Sequence, residues 1–237
     1  MPRVISAYTD ERNNAWCMHC GSTLDASKKS DDHTPSKFLL DRPFPDNLAT
    51  TEICGPCNRS FSLDEEYFSA FLSVVLSGTT DPDKQVISHA AKTLSHANAL
   101  RRMIEESGSE QYCLDGQSTI QWNPDKARIQ NVILKNARAH LFFENGEPML
   151  DEPEYLHFQP IQTMSEEERA DFFGFGGELA PWCEIGSRWN TRLVEGDAFD
   201  NMGFLVVQPG VYRFRVEAGG QGLRSVIREY LATTVFW

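Results

Sequence analysis

Apolar residues recur through the middle of the chain at the spacing of one helical face, and near its end at the spacing of a strand. Phe68, Phe71, Leu72 and Val75 make the first stripe, within "SFSLDEEYFSAFLSVVLSG". Ser62 and Glu65 form a capping box at its head, and Gly78 ends it. A second helix is predicted from Pro82 to Gly108, burying Val86, Ala90, Leu94, Ala97 and Ile104. His89 and His96 fall on a neighbouring face and read as surface residues. A third helix takes Asn123 as N-cap and Pro124 as first residue, and runs through "DKARIQNVILKNARAHLFFENG". Its apolar side is Ile129, Val132, Ile133 and Leu141. Between the last two helices, "SGSEQYCLDGQS" reads as a loop and a boundary.

After residue 150 the period changes. "SEEERADFF" predicts a short acidic helix, and "GFLVVQPGVYRFRVEAGG" a β-hairpin turning at Gln208, Pro209 and Gly210. "GLRSVIREYLATTVFW" adds a strand or two. Arg213 and Arg215 alternate with Tyr212 and Phe214, so both arginines share one face, either a nucleic-acid clamp or the wet side of a sheet. "FGFGGELAPWC" is glycine-rich but lacks the lysine of a phosphate loop.

With 41% hydrophobic residues in 237, the chain can bury a core, and no apolar run is long enough to span a bilayer. The opening "MPRVISAYTDERNNAW" lacks the apolar stretch of a secretory signal, which leads to the expectation of a cytoplasmic protein without a membrane partner. A formal charge of −12 opposes broad adhesion to DNA or anionic lipid. It leaves room for a local basic surface. Arg128, Asn131, Lys135 and Arg138 align on one side of the third helix, either as a stripe that tracks phosphates or as a solvated face.

Cysteine spacing is more specific than any of this. Four of the six cysteines form two C-x-x-C pairs, Cys17/Cys20 and Cys54/Cys57, while Cys113 and Cys183 stand alone. Two such knuckles supply the four thiolates of a closed structural zinc site. His19, inside the first knuckle, is expected to face solvent.

Between the knuckles lies "DDHTPSKFLLDRPFPDNLATTEI", with Asp32-His33, then Asn47-Leu48, and Asn58 directly after Cys57. This order resembles the HNH endonucleases, with their ββα-metal fold, over about residues 15–72. "DHTPSKFLL" and "CNRSFSLDEEYF" look closest to a bacterial branch of that superfamily. The resemblance implies a phosphodiester hydrolase with His33 as general base, and Asp32 and Asn58 as ligands of a catalytic magnesium or manganese ion. It implies that Asn47 holds the loop orienting the histidine, and that the zinc is purely structural. Asp31, beside Asp32, leaves the identity of the carboxylate ligand open. The chemistry suits these residue types, because histidine titrates near neutrality and a divalent cation offsets charge on the phosphorane.

The expected architecture is therefore α+β: a zinc-stapled ββα-metal module over 1–78, a helical segment over 79–146, and an α+β region with antiparallel strands over 147–237. The expected activity is that of an endonuclease on nucleic acid, DNA before RNA, with defence against phage or mobile DNA as an analogy. A protein partner or a homo-oligomer stays open. The alternative is a zinc-stabilised module that binds nucleic acid or protein without catalysis.

Overall fold

The strand-period residues at the chain's end pair into one antiparallel sheet, and the knuckle-bearing segment folds into a separate hairpin. The structure, a computed structural model, describes residues 1–6, 11–25, 29–112, 118–174 and 186–237. Cys113, Cys183 and most of "FGFGGELAPWC" lie outside the described residues. Among those described there are six α-helices, and none is long and apolar enough to cross a membrane. The chain divides into two compact units, Met1–Arg59 with Ile133–Trp237, and Ser60–Val132. These borders run through two long helices.

In the first unit, β1 (Lys29–Thr34) and β2 (Ala49–Cys54) form an antiparallel hairpin with His33 opposite Thr50. Helix α1 (Gly55–Ser77) follows β2 without a break. It begins seven residues before Ser62, so the expected capping box lies inside the helix. Pro56 explains the early start, because a proline in the first turn lacks only an N–H that would be unbonded there anyway.

The second unit holds the rest of α1, α2 (Ser88–His96), α3 (Asn98–Glu106), and a hairpin of β3 (Gly108–Tyr112) and β4 (Ser118–Trp122). The single helix expected over 82–108 is broken at Ala97, whose ψ of 70° is not helical. Ile87, not Val86, is buried at its start; Val86 is exposed, as are His89 and His96. The expected loop "SGSEQYCLDGQS" opens and closes with strand. Helix α4 (Lys126–Asn145) starts later than expected, with the Asp125 carboxylate accepting from Arg128 N. Asp64 of α1 accepts from Arg128 (2.8 Å) and Asn131 (2.7 Å), and the Tyr67 hydroxyl accepts from Asp125 N at 2.7 Å.

The C-terminal half of α4 belongs to the first unit. There the chain adds β5 (Tyr155–Pro160), α5 (Glu166–Phe173), α6 (Arg188–Glu195), β6 (Leu205–Gln208), β7 (Tyr212–Val216), β8 (Gly222–Ile227) and β9 (Leu231–Phe236). The five strands lie in the order β5-β9-β8-β7-β6. Every residue of β8 is buried, as a strand covered on both faces must be. Gly222 has a packing reason: a Cβ there would lie 2.4 Å from the Phe236 ring.

On one face Tyr212 and Phe214 pack against His140 of α4, and Phe214 also meets Trp189 of α6. On the other, α5 and the 199–204 segment cover Arg213, Arg215 and Arg224. Arg215 is 5% exposed, donates to the carbonyls of Met202 and Phe172, and lies 4.8 Å over the Phe204 ring. That face is therefore neither wet nor open, which corrects both readings of the arginine pair. Carboxylates of Asp171, Asp200, Glu217 and Glu229, with aromatic faces and backbone carbonyls, satisfy these guanidinium groups in place of water.

Arg192 of α6 ties two remote positions, Glu144 and Arg3, to the turn that follows its own helix. Its Nε donates to Glu144 at 2.9 and 3.1 Å, and its Nη1 to Asp197 and to the Arg3 carbonyl. All three charged side chains are at most 3% exposed. Replacing Arg192 with methionine leaves buried Glu144 without its bonded cation and Asp197 with only Arg3, a loss of about 3–5 kcal/mol. Urea denaturation should show it as a markedly lower midpoint. A change under about 1 kcal/mol would mean the cluster relaxes at little cost.

Candidate metal centre and the adjoining hairpin

The first knuckle is a tight turn. Gly21 N bonds the Cys17 carbonyl at 2.8 Å, Cys17 N bonds the Ser22 carbonyl at 2.8 Å, and Gly21 takes the positive φ of 69° that this closure needs. The second knuckle spans the joint of β2 and α1: Cys54 is the last residue of the strand and Cys57 the third of the helix. The four sulfurs of Cys17, Cys20, Cys54 and Cys57 lie within 4.8 Å of one another. Cys20 and Cys54 are 3.7 Å apart, against about 3.8 Å for two sulfurs at 2.3 Å from one tetrahedral zinc. Cys17, Met18 and Ile53 pack behind them on Ala139 and Phe142 of α4.

Four thiols this close cannot ionise independently. Burial would raise Cys20, but hydrogen bonding with Ser22 and contact with Cys57 and Cys17 outweigh it and bring Cys20 down to about 6. Burial and the surrounding thiols push Cys57 strongly up, and burial raises Cys17. A divalent cation among the sulfurs removes that conflict by stabilising every thiolate at once. The residues fit a structural metal such as zinc.

The adjoining hairpin presents its residues on two faces, as a strand must. Ser30, Asp32 and Thr34 turn inward, while Lys29, Asp31 and His33 turn outward. On the inward face Asn58 donates to Ser30 Oγ at 2.7 Å. Lys135 of α4 donates to Asp32 Oδ1 at 2.8 Å, with the two side chains only 2% and 8% exposed. His33 is half-buried. Burial lowers its pKa, Lys37 adds to this, Asp31 opposes it and Lys135 contributes a little more. Asn47 is exposed and donates to the Pro2 carbonyl at 3.4 Å, so its observed bond ties down the chain's start.

A catalytic magnesium or manganese ion does not fit Asp32 as the chain stands. An ammonium group already holds Oδ1 of this carboxylate at 2.8 Å, and a divalent ion on either oxygen would sit against that buried positive charge.

The basic stripe of α4 is also corrected. Lys135 is 2% and Arg138 8% exposed, and Arg138 donates to the carbonyls of Leu150 and Asp151. Arg128 is held by Asp64. These cations serve internal partners, so they do not form a solvent-facing row for phosphates. His19 is buried as well, not solvent-facing, and burial followed by Lys135 and Arg138 takes its ring down to about 3.

Three residues far along the chain hold the loop that joins β1 to β2, and sequence reasoning passed over all of them. Asn136 accepts from Ser36 N at 2.9 Å in a buried bond. Gln208 accepts from Asp41 N at 2.9 Å and donates to the Asp41 carbonyl at 3.0 Å. Arg228 forms a two-pronged pair with the Asp41 carboxylate, at 2.7 and 3.0 Å. No spacing rule links positions this distant. Inside this loop Lys37 and Arg42 both lie over the Phe44 ring, at 5.2 and 5.1 Å.

The thiol cluster makes a direct prediction. Native mass spectrometry of the purified protein should find one zinc per chain, and Cys54→Ser should lower both metal content and the stability of the hairpin. A folded, metal-free wild-type protein would dismiss the centre.

Comparison of the chain with protein-family models, with curated proteins and with solved structures finds no match. The four-sulfur centre and the hairpin beside it are what any functional reading has to stand on.

Proposed function

We propose that the N-terminal hairpin hydrolyses phosphodiester bonds in nucleic acid, DNA before RNA, with His33 as general base. One observation carries this reading. A hairpin that runs straight into a helix is gathered at that joint by four sulfurs, and it leaves a half-buried histidine on its outward face beside Lys37. That order of elements agrees with the ββα arrangement implied by the Asp32-His33, Asn47 and Asn58 landmarks.

The residues supply the parts of a hydrolysis. A neutral His33 accepts a proton from water, and the resulting hydroxide attacks phosphorus. The bond to the 3′ oxygen breaks, leaving a 5′-phosphate, and that oxygen takes up a proton to become a hydroxyl. Lys37 places a positive charge near His33, which favours an approaching phosphate locally and is opposed by Asp31.

A second reading, a stapled binding module without catalysis, is favoured by the engagement of Asp32 with Lys135. Activity separates the two. His33→Ala should slow cleavage of plasmid, single-stranded DNA or RNA by roughly 10²–10⁴-fold. Equal rates in the two proteins would leave only the binding module.

The pH profile gives an independent check. Because the folded environment favours the neutral ring, the base stays competent as pH falls past about 6.5, where a free histidine is half protonated. The acid limb of the rate profile should therefore lie below that value, and a limb above it would contradict His33 as the base.

A further inference from the structure

The structure assigns to Lys135 the place that a ββα-metal site gives to a divalent ion: its ammonium group is the resident counter-cation of Asp32.

Two features support this. The contact is direct, 2.8 Å from Nζ to Oδ1, and both side chains are buried, so the pair is not a passing surface encounter. The lysine is also positioned by its neighbours on the helix. Asn136 is locked to Ser36 N, four residues past Asp32, and Arg138 is locked to the carbonyls of Leu150 and Asp151. The helix therefore presents Lys135 to β1 in a fixed register.

A magnesium or manganese ion at Asp32 would meet an ammonium with no open water to screen the repulsion. Divalent ions therefore do not bind there. If His33 is the base proposed above, cleavage needs no added divalent metal, a consequence that rests on that reading while the assignment of Lys135 does not.

The test is a manganese titration of the zinc-loaded, full-length wild-type protein followed by NMR. Bound Mn²⁺ broadens nearby amide signals. The amides of residues 31–33 should stay sharp, whereas Lys135→Met, which frees the carboxylate, should make them broaden at the same Mn²⁺ concentration. Selective broadening of residues 31–33 in the wild type would overturn the assignment, and this arm needs no variant to fold. Broadening confined to other acidic surfaces supports it, since Asp32 is then not the ligand.

Cleavage assays in buffer freed of divalent ions separate the two proposals. Wild-type cleavage that appears only with added magnesium, together with selective broadening at residues 31–33, would overturn the role of Lys135 and keep the nuclease reading. Sharp amides with no cleavage in any buffer would uphold Lys135 and remove the nuclease reading alone.

Discussion

The first unit depends on burying a helix segment that is polar on several sides. Between residues 133 and 145, α4 carries Lys135, Asn136, Arg138, His140, Glu144 and Asn145, and all six are buried. A buried polar group without a partner costs about 1–3 kcal/mol, and a charged one more. The fold must therefore bring a partner to each. Asp32, Ser36, the Leu150 and Asp151 carbonyls, Tyr212, Arg192 and Gly220 are those partners. They come from the hairpin, α6, the sheet and two loops, which is why regions distant in sequence form one compact unit.

His140 shows how such a group is kept neutral. Burial, with Arg192 adding, takes its pKa down to about 3, and it sits between Tyr212, 3.1 Å from its Nε2, and the Phe214 ring. Because its folded pKa lies below the unfolded value near 6.5, the stability it contributes is present above that pH and is lost as pH falls towards the folded pKa. The sulfur cluster works on a different principle. It is local, its four ligands lie within 41 residues of sequence, and a single ion can satisfy all of them.

That difference decides what was legible in the sequence. Residue identity and spacing alone are enough to find a four-thiolate centre, and period-two alternation with a Pro-Gly turn is enough for the β6–β7 hairpin. The direction of the α4 stripe was not legible. Arg128, Asn131, Lys135 and Arg138 have the same spacing whether they face water or a polar interior, and only the partners, up to 103 residues away, decide between them. The Ser62–Glu65 signature misled for a related reason: a capping box describes a way to start a helix, not a proof that one starts there. The adjacency of Asp32 and His33 was legible, but strand geometry sends the two side chains to opposite faces. The aspartate went to the interior cation and the histidine to the outside.

The loop between β1 and β2 has a further meaning when the chain is considered in time. Synthesis proceeds from the N-terminus, so both cysteine knuckles leave the ribosome early and can gather their metal at once. The partners of the loop beside His33 arrive later: Asn136 first, then Gln208, and Arg228 last of all. The metal centre can thus mature while translation continues, but the surroundings of His33 reach their final form only after residue 228 has emerged. The four thiols can therefore be gathered well before the loop beside His33 is held in its final place.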